Sequence, residues 1–238
     1  MKLDILAFGA HPDDVELSCA GTLLKHSKEG KKIGVVDLTN GELGTRGTPK
    51  IRLSEANAST RILGLSCREN INLADGFFEL TRENKLAVIK IIRKYQPEIV
   101  LANAPSDRHP DHGRASQLVS ESCFLSGLKK ISTKISGNEQ LEWRPKFVYH
   151  YIQDRYIKPD FIVDITPHFE KKMEVILAFK SQFFNPESQE KETPISSKDF
   201  LKYIESRSRE FGRTINCTYG EGFVTERTPG VDNLFDLL

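Results

Sequence analysis

Residues 3–14 read LDILAFGAHPDD, and this stretch decides the fold class. Its apolar first part, Leu3 to Gly9, predicts a buried strand, and the pattern that begins at Asp14 predicts a helix as far as Lys28. A second strand is predicted from Lys32 to Leu38. A buried strand, a helix and another buried strand in this order are typical of a β–α–β unit with parallel strands.

The same alternation continues along the first half of the chain. Helices are predicted from Ile51 to Leu63 and from Glu83 to Tyr95, and a strand is predicted from Glu98 to Ala102. Because crossovers between parallel strands are right-handed, this order predicts a Rossmann-like, doubly wound α/β fold. We expect a single domain over residues 1–238, built on a mostly parallel sheet with helices on both faces.

The second half is less regular. Strands are predicted from Lys146 to Ile152 and from Phe161 to Ile165, and Thr166 and Pro167 are expected to open a helix as far as about Gln182. We interpret Asn185 to Ser197 as an exposed polar loop and Phe200 to Phe211 as a last helix. The segment from Gly220 onward is expected to be irregular.

Composition limits the classes of function. The chain has 34 Lys and Arg against 33 Asp and Glu, so its net charge of +1 is unlike the basic surface of a nucleic-acid-binding protein. No apolar run is long enough to span a bilayer, and the charged N-terminal stretch is a poor signal peptide, so a cytoplasmic location is the default expectation. The four cysteines are isolated, which predicts free thiols and no thiolate metal site.

Two short segments are rich in His and Asp, the residue types that bind metals and transfer protons: Ala10 to Asp14, which reads AHPDD, and Arg108 to His112, which reads RHPDH. Each follows a predicted strand and precedes a predicted helix. Loops at the carboxyl ends of parallel strands line the ligand crevice of an open sheet, above all where the strand order reverses. We therefore expect the two segments to converge, although about a hundred residues separate them in the sequence.

Imidazole and carboxylate groups without thiolate suit zinc or iron(II). A catalytic zinc site uses three protein ligands and keeps one position for water, so two histidines and one acid would be enough. The remaining acid and histidine could then serve hydrolysis as base and acid. The alternative is that both segments only cap the helices that follow them. These residue types and their spacing leave open which acid and which histidines would bind the metal.

The two segments resemble the LmbE-like, or PIG-L type, zinc deacetylase family, and within it the N-acetylglucosaminyl-L-malate deacetylases of bacillithiol biosynthesis. The resemblance extends to GELGTRG at 41–47, RLSEA at 52–56, SQF at 181–183 and YGEGF at 219–223. It implies a zinc-dependent enzyme that removes the N-acetyl group from an N-acetylglucosamine conjugate, with a small amino-sugar substrate and a possible homo-oligomeric state. One Zn²⁺ per chain is implied, with Fe²⁺ or another divalent ion as an alternative.

The resemblance also implies a role for each residue. His11, Asp14 and His112 would bind the metal, Asp13 would be the general base, and His109 would stabilise the oxyanion and protonate the leaving amine. Asp111 would orient His109. No position matches the tyrosine that some relatives use near the oxyanion.

Arg46 and Arg52 are candidates for binding a malyl carboxylate, because a guanidinium group suits that anion; the alternative is surface ion pairs with Glu42 or Glu55. Two other functions compete with the deacetylase. A non-haem iron(II) oxygenase uses the same ligand types. A nucleotide-binding module would also begin with a strand and a turn, but the glycine pattern of such modules is missing after Gly9.

Overall fold

The computed structural model of the chain describes residues 1–237. Its strands are β1 (Ile5–Gly9), β2 (Ile33–Asp37), β3 (Cys67–Asn70), β4 (Ile99–Ala102), β5 (Lys134–Ile135), β6 (Asn138–Glu139), β7 (Phe147–Tyr151), β8 (Phe161–Asp164) and β9 (Gly220–Thr225). Its α-helices are α1 (Asp14–Lys28), α2 (Pro49–Leu63), α3 (Arg82–Tyr95), α4 (Pro110–Ser126), α5 (Phe169–Leu177) and α6 (Phe200–Thr214). Short 3₁₀ turns cover Thr166–His168, Pro194–Ser196 and Leu234–Asp236.

Seven strands form one sheet in the order β3-β2-β1-β4-β7-β9-β8, and β5 and β6 form a separate hairpin. The first five strands of the sheet are parallel, whereas β9 is antiparallel to both of its neighbours. The strand order reverses at β1, because β2 lies on one side of it and β4 on the other. The prediction of a doubly wound, mostly parallel α/β fold is confirmed.

The sheet is buried on both faces, which explains why its strands are continuously apolar in sequence. Leu6 and Phe8 of β1 face the helices α3 and α4, with which they form one core. Ile5 and Ala7, one position out of phase, face α1 and α5 in a second core. The alternation of side chains along a strand therefore places helices on opposite faces.

Several elements differ from the predictions. The strand β3 was missed because its sequence, CREN, is polar and lies at the sheet edge. The helix expected from Thr166 to Gln182 is a 3₁₀ turn followed by α5, which ends at Leu177. Thr166 does not cap it; its hydroxyl oxygen accepts hydrogen bonds from the backbone N–H groups of Thr218 and Tyr219.

The segment from Gly220 was expected to be irregular, but it forms β9, inside the sheet between β7 and β8. Its glycines conceal the strand pattern, and the packing requires them. A Cβ at Gly222 would lie 3.0 Å from the ring of Phe211 on α6, and one at Gly220 would lie 2.6 Å from Ile162. These positions let α6 approach the strand closely. Within residues 1–237, no helix is long and apolar enough to cross a membrane.

Candidate active site

The two histidine-containing segments meet at the carboxyl ends of β1 and β4, the neighbouring strands at which the strand order reverses. The ring centroids of His11 and His109 are 4.7 Å apart, and those of His11 and His112 are 5.7 Å apart. Asn103, directly after β4, links the two loops. Its Oδ1 accepts a hydrogen bond from the backbone N–H of Ala10 at 3.0 Å, and its Nδ2 donates to Asp14 Oδ2 at 3.0 Å.

Asp14, the first residue of α1, is held by hydrogen bonds to both of its carboxylate oxygens. Its Oδ2 also accepts the backbone N–H of His11 at 2.9 Å, and its Oδ1 accepts Gln153 Nε2 at 2.6 Å. Burial alone would raise the pKa of this carboxyl, but the imidazoles of His112 and His11 outweigh burial and hold the pKa well below its usual value. Asp14 is thus held as an anion in a fixed orientation.

His11 and His112 both turn one ring nitrogen towards Asp14. His11 Nδ1 lies 3.5 Å from Asp14 Oδ2, and His112 Nε2 lies 3.3 Å from Asp14 Oδ1. The opposite nitrogens face other carboxylates: His11 Nε2 is 3.0 Å from Asp75 Oδ1, and His112 Nδ1 is 2.6 Å from Asp107 Oδ2. A ring that donates to a carboxylate on one side presents a lone pair on the other. When each ring is neutral, with its proton on the side of Asp75 or Asp107, its lone pair points to the space beside Asp14.

Asp13 is buried next to these groups but is bonded differently. It adopts a φ of 128°, in the left-handed region, and its Oδ1 lies 3.1 Å from Arg52 Nη2. The same guanidinium donates to the carbonyl of Pro12. Burial raises the pKa of Asp13 to about 7 against the opposing charge of Arg52, so this carboxyl can both hold and release a proton near neutrality. The ring nitrogens of His11 and His112 pair with other carboxylates and not with Asp13.

His109 is half-buried at the N-terminus of α4. Its Nδ1 accepts the backbone N–H of Asp111 at 3.3 Å, so it caps the helix, and in the neutral ring the proton resides on Nε2. Burial lowers the pKa of this imidazole, and the neighbouring rings of His11 and His112 lower it further. Helix capping, the alternative to metal binding, therefore does occur at the second segment, where the capping side chain is that of His109 and not that of an acid.

Asp111 differs from its predicted role of orienting His109. Its Oδ2 accepts the backbone N–H of Gly76 at 2.8 Å and lies 3.3 Å from His11 Nε2, while its Oδ1 lies 2.8 Å from Arg114 Nη2. The carboxylate thus faces His11. The backbone N–H of Gly76 and the guanidinium of Arg114 hold the carboxylate in this orientation.

A cleft of about 480 Å³ is lined by His11, Asp13, Asp14, His109 and His112. Arg46, Arg52 and Arg108 also line it. The Arg46 side chain is buried, with its Nε 3.5 Å from Glu190 Oε2, and Arg108 pairs with Asp154. The alternative partners Glu42 and Glu55 are not used: Glu42 accepts the backbone N–H of Asp75, and Glu55 accepts from Ser181.

Sequence reasoning missed four residues that orient the histidines and Asp14: Asp75, Asn103, Asp107 and Gln153. Asn103 and Asp107 lie in the loop that follows β4, so their position after a predicted strand was a usable signal. Asp75 and Gln153 lie in irregular segments with no motif. Tyr151, a tyrosine near the site, is buried, and its hydroxyl donates to the carbonyl of Phe8 at 2.8 Å, so it does not line the cleft.

The chain matches a protein-family model and several known proteins. The family model PIG-L, described as GlcNAc-PI de-N-acetylase, matches residues 6–123. The chain is 29% identical to a diacetylchitobiose deacetylase of Thermococcus kodakarensis, over 75% of this chain and 70% of that protein. It is 26% identical to a probable N-acetyl-alpha-D-glucosaminyl L-malate deacetylase of Bacillus anthracis, over 75% of this chain and 81% of that protein.

Among solved structures, a conserved protein from Thermus thermophilus matches with a TM-score of 0.85 at 31% identity, and 98% of each chain is covered. The match therefore includes the antiparallel strands β8 and β9 and the helix α6, which lie beyond the region of the family model. The whole described fold, and not only its first half, is shared with this relative.

Proposed function

The chain belongs to the PIG-L, or LmbE-like, family of metal-dependent amide hydrolases, and from this premise we propose that it is a zinc-dependent N-deacetylase of an N-acetylglucosamine conjugate. One observation carries the proposal. A buried carboxylate and two imidazoles face one another in the cleft, a second acid beside them is paired with Arg52, and a third imidazole lies next to both rings at the N-terminus of α4. This is the division between metal ligands and acid–base groups that metal-assisted amide hydrolysis needs.

The donor set fits a metal ion. We propose that His11 Nδ1, His112 Nε2 and Asp14 hold it, because these nitrogens face the carboxylate while their ring partners are bonded to Asp75 and Asp107. Carboxylates behind metal-binding histidines orient the ring and raise its basicity. Burial lowers the pKa of His112, but Asp14 and Asp107 outweigh burial and raise it to about 9, so a metal ion would displace a proton from this ring. Two imidazoles and one carboxylate are a zinc hydrolase ligand set.

A zinc ion in this position would lower the pKa of a water molecule and polarise the acetyl carbonyl of the substrate. Asp13 then accepts the proton of the attacking water, and Arg52 holds this carboxylate in place at 3.1 Å. His109, whose neutral ring carries its proton on Nε2, would donate to the developing oxyanion. The Nε2 proton would then pass to the leaving amine and be replaced by the proton that Asp13 took from the water, so both groups return to their starting state. The products are acetate and the free amino sugar.

N-acetylglucosaminyl-L-malate, the conjugate of bacillithiol biosynthesis, is the first substrate to test. Its malyl carboxylates need cations, and Arg46 and Arg108 line the cleft with partners, Glu190 and Asp154, that an anionic ligand can replace. Arg52 is less suited, because its guanidinium is committed to Asp13 and Pro12. We therefore propose that Arg46 and Arg108 bind the malyl carboxylates, and that Arg52 does not.

The test is acetate release from a panel of N-acetylglucosaminyl malate, N-acetylglucosamine and an inositol-linked analogue. Zinc-loaded protein should release acetate from at least one member, chelated protein should not, and re-addition of zinc should restore the rate. Oxygen consumption without acetate would instead support the iron(II) oxygenase. If metal-loaded protein releases no acetate from any member, the proposed deacetylase of N-acetylglucosamine conjugates is wrong.

A further inference from the structure

One short segment after β7, residues 153–155, contacts the orienting groups of two proposed metal ligands. The Nε2 of Gln153 donates to Asp14 Oδ1 at 2.6 Å, and its Oε1 accepts Asn103 Nδ2 at 3.2 Å. At the other end of the segment, the backbone N–H of Arg155 donates to Asp107 Oδ1 at 2.8 Å. The second oxygen of Asp107 accepts His112 Nδ1 at 2.6 Å. A shift of this segment would therefore move Asp14 and His112 together.

The helix α6 fixes that segment through Arg207. Its Nη1 donates to the carbonyl of Gln153 at 2.6 Å, and its Nη2 donates to the carbonyl of Asp154. The hydroxyl of Tyr203, one turn earlier on α6, donates to the same Asp154 carbonyl, and the guanidinium of Arg207 lies 4.8 Å from the Tyr203 ring centroid. A planar guanidinium can bond two successive carbonyls at once, which the single ammonium of lysine cannot do with the same geometry.

We propose that Arg207 and Gln153 are positioning residues of the metal site: Arg207 fixes the backbone of residues 153–154, and Gln153 transmits this position to Asp14. The inference rests on the metal site proposed above. Its physical basis is that hydrogen bonds behind metal ligands set both ligand orientation and metal affinity, and their loss typically weakens binding by about 10–100-fold. The contrasting view is that Arg207 only attaches α6 to the sheet, in which case metal affinity is independent of it.

The experiment measures zinc affinity by competition with a chromogenic chelator, using the full chain. Arg207→Met and Gln153→Met should each weaken zinc binding by about tenfold or more. Arg207→Lys should lose less than Arg207→Met. The matched control is Arg209→Met on the same helix, because Arg209 is exposed and pairs with Glu205 at 2.9 Å; its zinc affinity should equal that of the unsubstituted protein.

The double variant decides whether the two residues act along one path. If Arg207 acts through Gln153, then combining Arg207→Met with Gln153→Met should weaken binding no further than the stronger single substitution. Independent, multiplicative losses would overturn the proposal, and so would unchanged zinc affinity in a folded Arg207→Met protein. Should Arg207→Met fail to fold, Gln153→Met alone still tests the contact with Asp14. Failure of the unsubstituted protein to bind zinc would contradict the metal site itself and not this positioning path.

Discussion

Arg52 and Asp13 form a buried ion pair, with Nη2 and Oδ1 3.1 Å apart, in which the guanidinium also bonds the carbonyl of Pro12. The two residues come from different parts of the fold, since Arg52 lies in α2 and Asp13 lies in the loop just before α1. Asp13 lies in the cleft with a φ of 128°, so its position depends on being held. The pair therefore connects the arginine of one sequence motif to the proposed base of another.

Replacing Arg52 should impair the base without removing the metal. Burial raises the pKa of Asp13 and Arg52 lowers it, so Arg52→Met should raise that pKa above its present value of about 7. A base works only when deprotonated, and the acidic limb of the pH–rate profile should move to higher pH. At pH 7 we expect about a tenfold lower kcat for each unit by which the pKa rises. Acetate release across pH, together with zinc stoichiometry, checks this; an unshifted acidic limb would contradict it.

Gly41 makes the position of Arg52 possible. A Cβ at Gly41 would lie 1.9 Å from Arg52 Nη1, and the residue has a φ of +62°. Gly41→Ala should therefore displace Arg52 and lower kcat in the same direction as Arg52→Met. Gly30→Ala is the matched control, because Gly30 has a φ of +82° with no atom near its Cβ position. Both variants should lose about 1 kcal/mol in the free energy of unfolding, but only Gly41→Ala should lose activity. If Gly41→Ala and Gly30→Ala are equally active, the close approach of Arg52 to Gly41 does not affect catalysis.

Substitutions of the neighbouring residues Asp13 and Asp14 should have different effects on metal content and activity. Asp13→Asn should keep full zinc stoichiometry and lose at least about a hundredfold in kcat, because only the proton acceptor is removed. Asp14→Asn should instead lose the metal, since its carboxylate faces both imidazoles. Metal analysis of the purified variants and acetate release decide the matter. Loss of zinc in Asp13→Asn with retention in Asp14→Asn would reverse the two assignments.

Substitution of either Asp107 or His112 should weaken zinc binding, because Asp107 holds the His112 ring. His112→Ala is expected to deplete the metal, and Asp107→Asn should weaken zinc binding by about 10–100-fold, because the amide no longer supports the ring as a carboxylate does at 2.6 Å. Chelator competition measures both. The control is Asp160→Asn, whose carboxylate is bonded to the backbone of Thr225, away from the cleft. Unchanged affinity in Asp107→Asn would remove Asp107 from the metal site.

The sequence predicted the first half of the fold well because its strands are buried on both faces and its helices have clear boundaries. The helix predicted from Asp14 to Lys28 has these limits in the structure, and Gly64 ends α2 in a left-handed conformation. The convergence of the two segments followed from sheet topology alone. The glycine-containing strand β9 and the polar edge strand β3 could not be predicted, since neither shows an apolar alternation.

The site was predictable where residues are adjacent in sequence and unpredictable where they are brought together by loops. His11, Asp13 and Asp14 share one turn. Asp75 and Gln153 reach the same place from segments without any periodicity or motif. The orientation of Asp111 towards His11, rather than towards His109, depends on how the N-terminus of α4 is capped, which the residue order HPDH does not specify.

Glu221 of β9 provides the last prediction, on stability. Its carboxylate accepts the backbone N–H groups of Gly21 and Thr22 at 2.9 and 2.7 Å, where α1 is interrupted by the non-helical Cys19. Lys172 compensates the buried charge at 2.7 Å. Because both side chains are almost fully buried, Lys172→Met leaves an unpaired anion.

Lys172→Met should therefore lower the free energy of unfolding by about 3–5 kcal/mol. The neighbouring substitution Lys171→Met removes an exposed pair with Glu174 and should change it by less than about 1 kcal/mol. Urea denaturation of both variants measures the difference. Similar small losses in the two would show that the buried charge is compensated by the helix N–H groups alone, without the lysine.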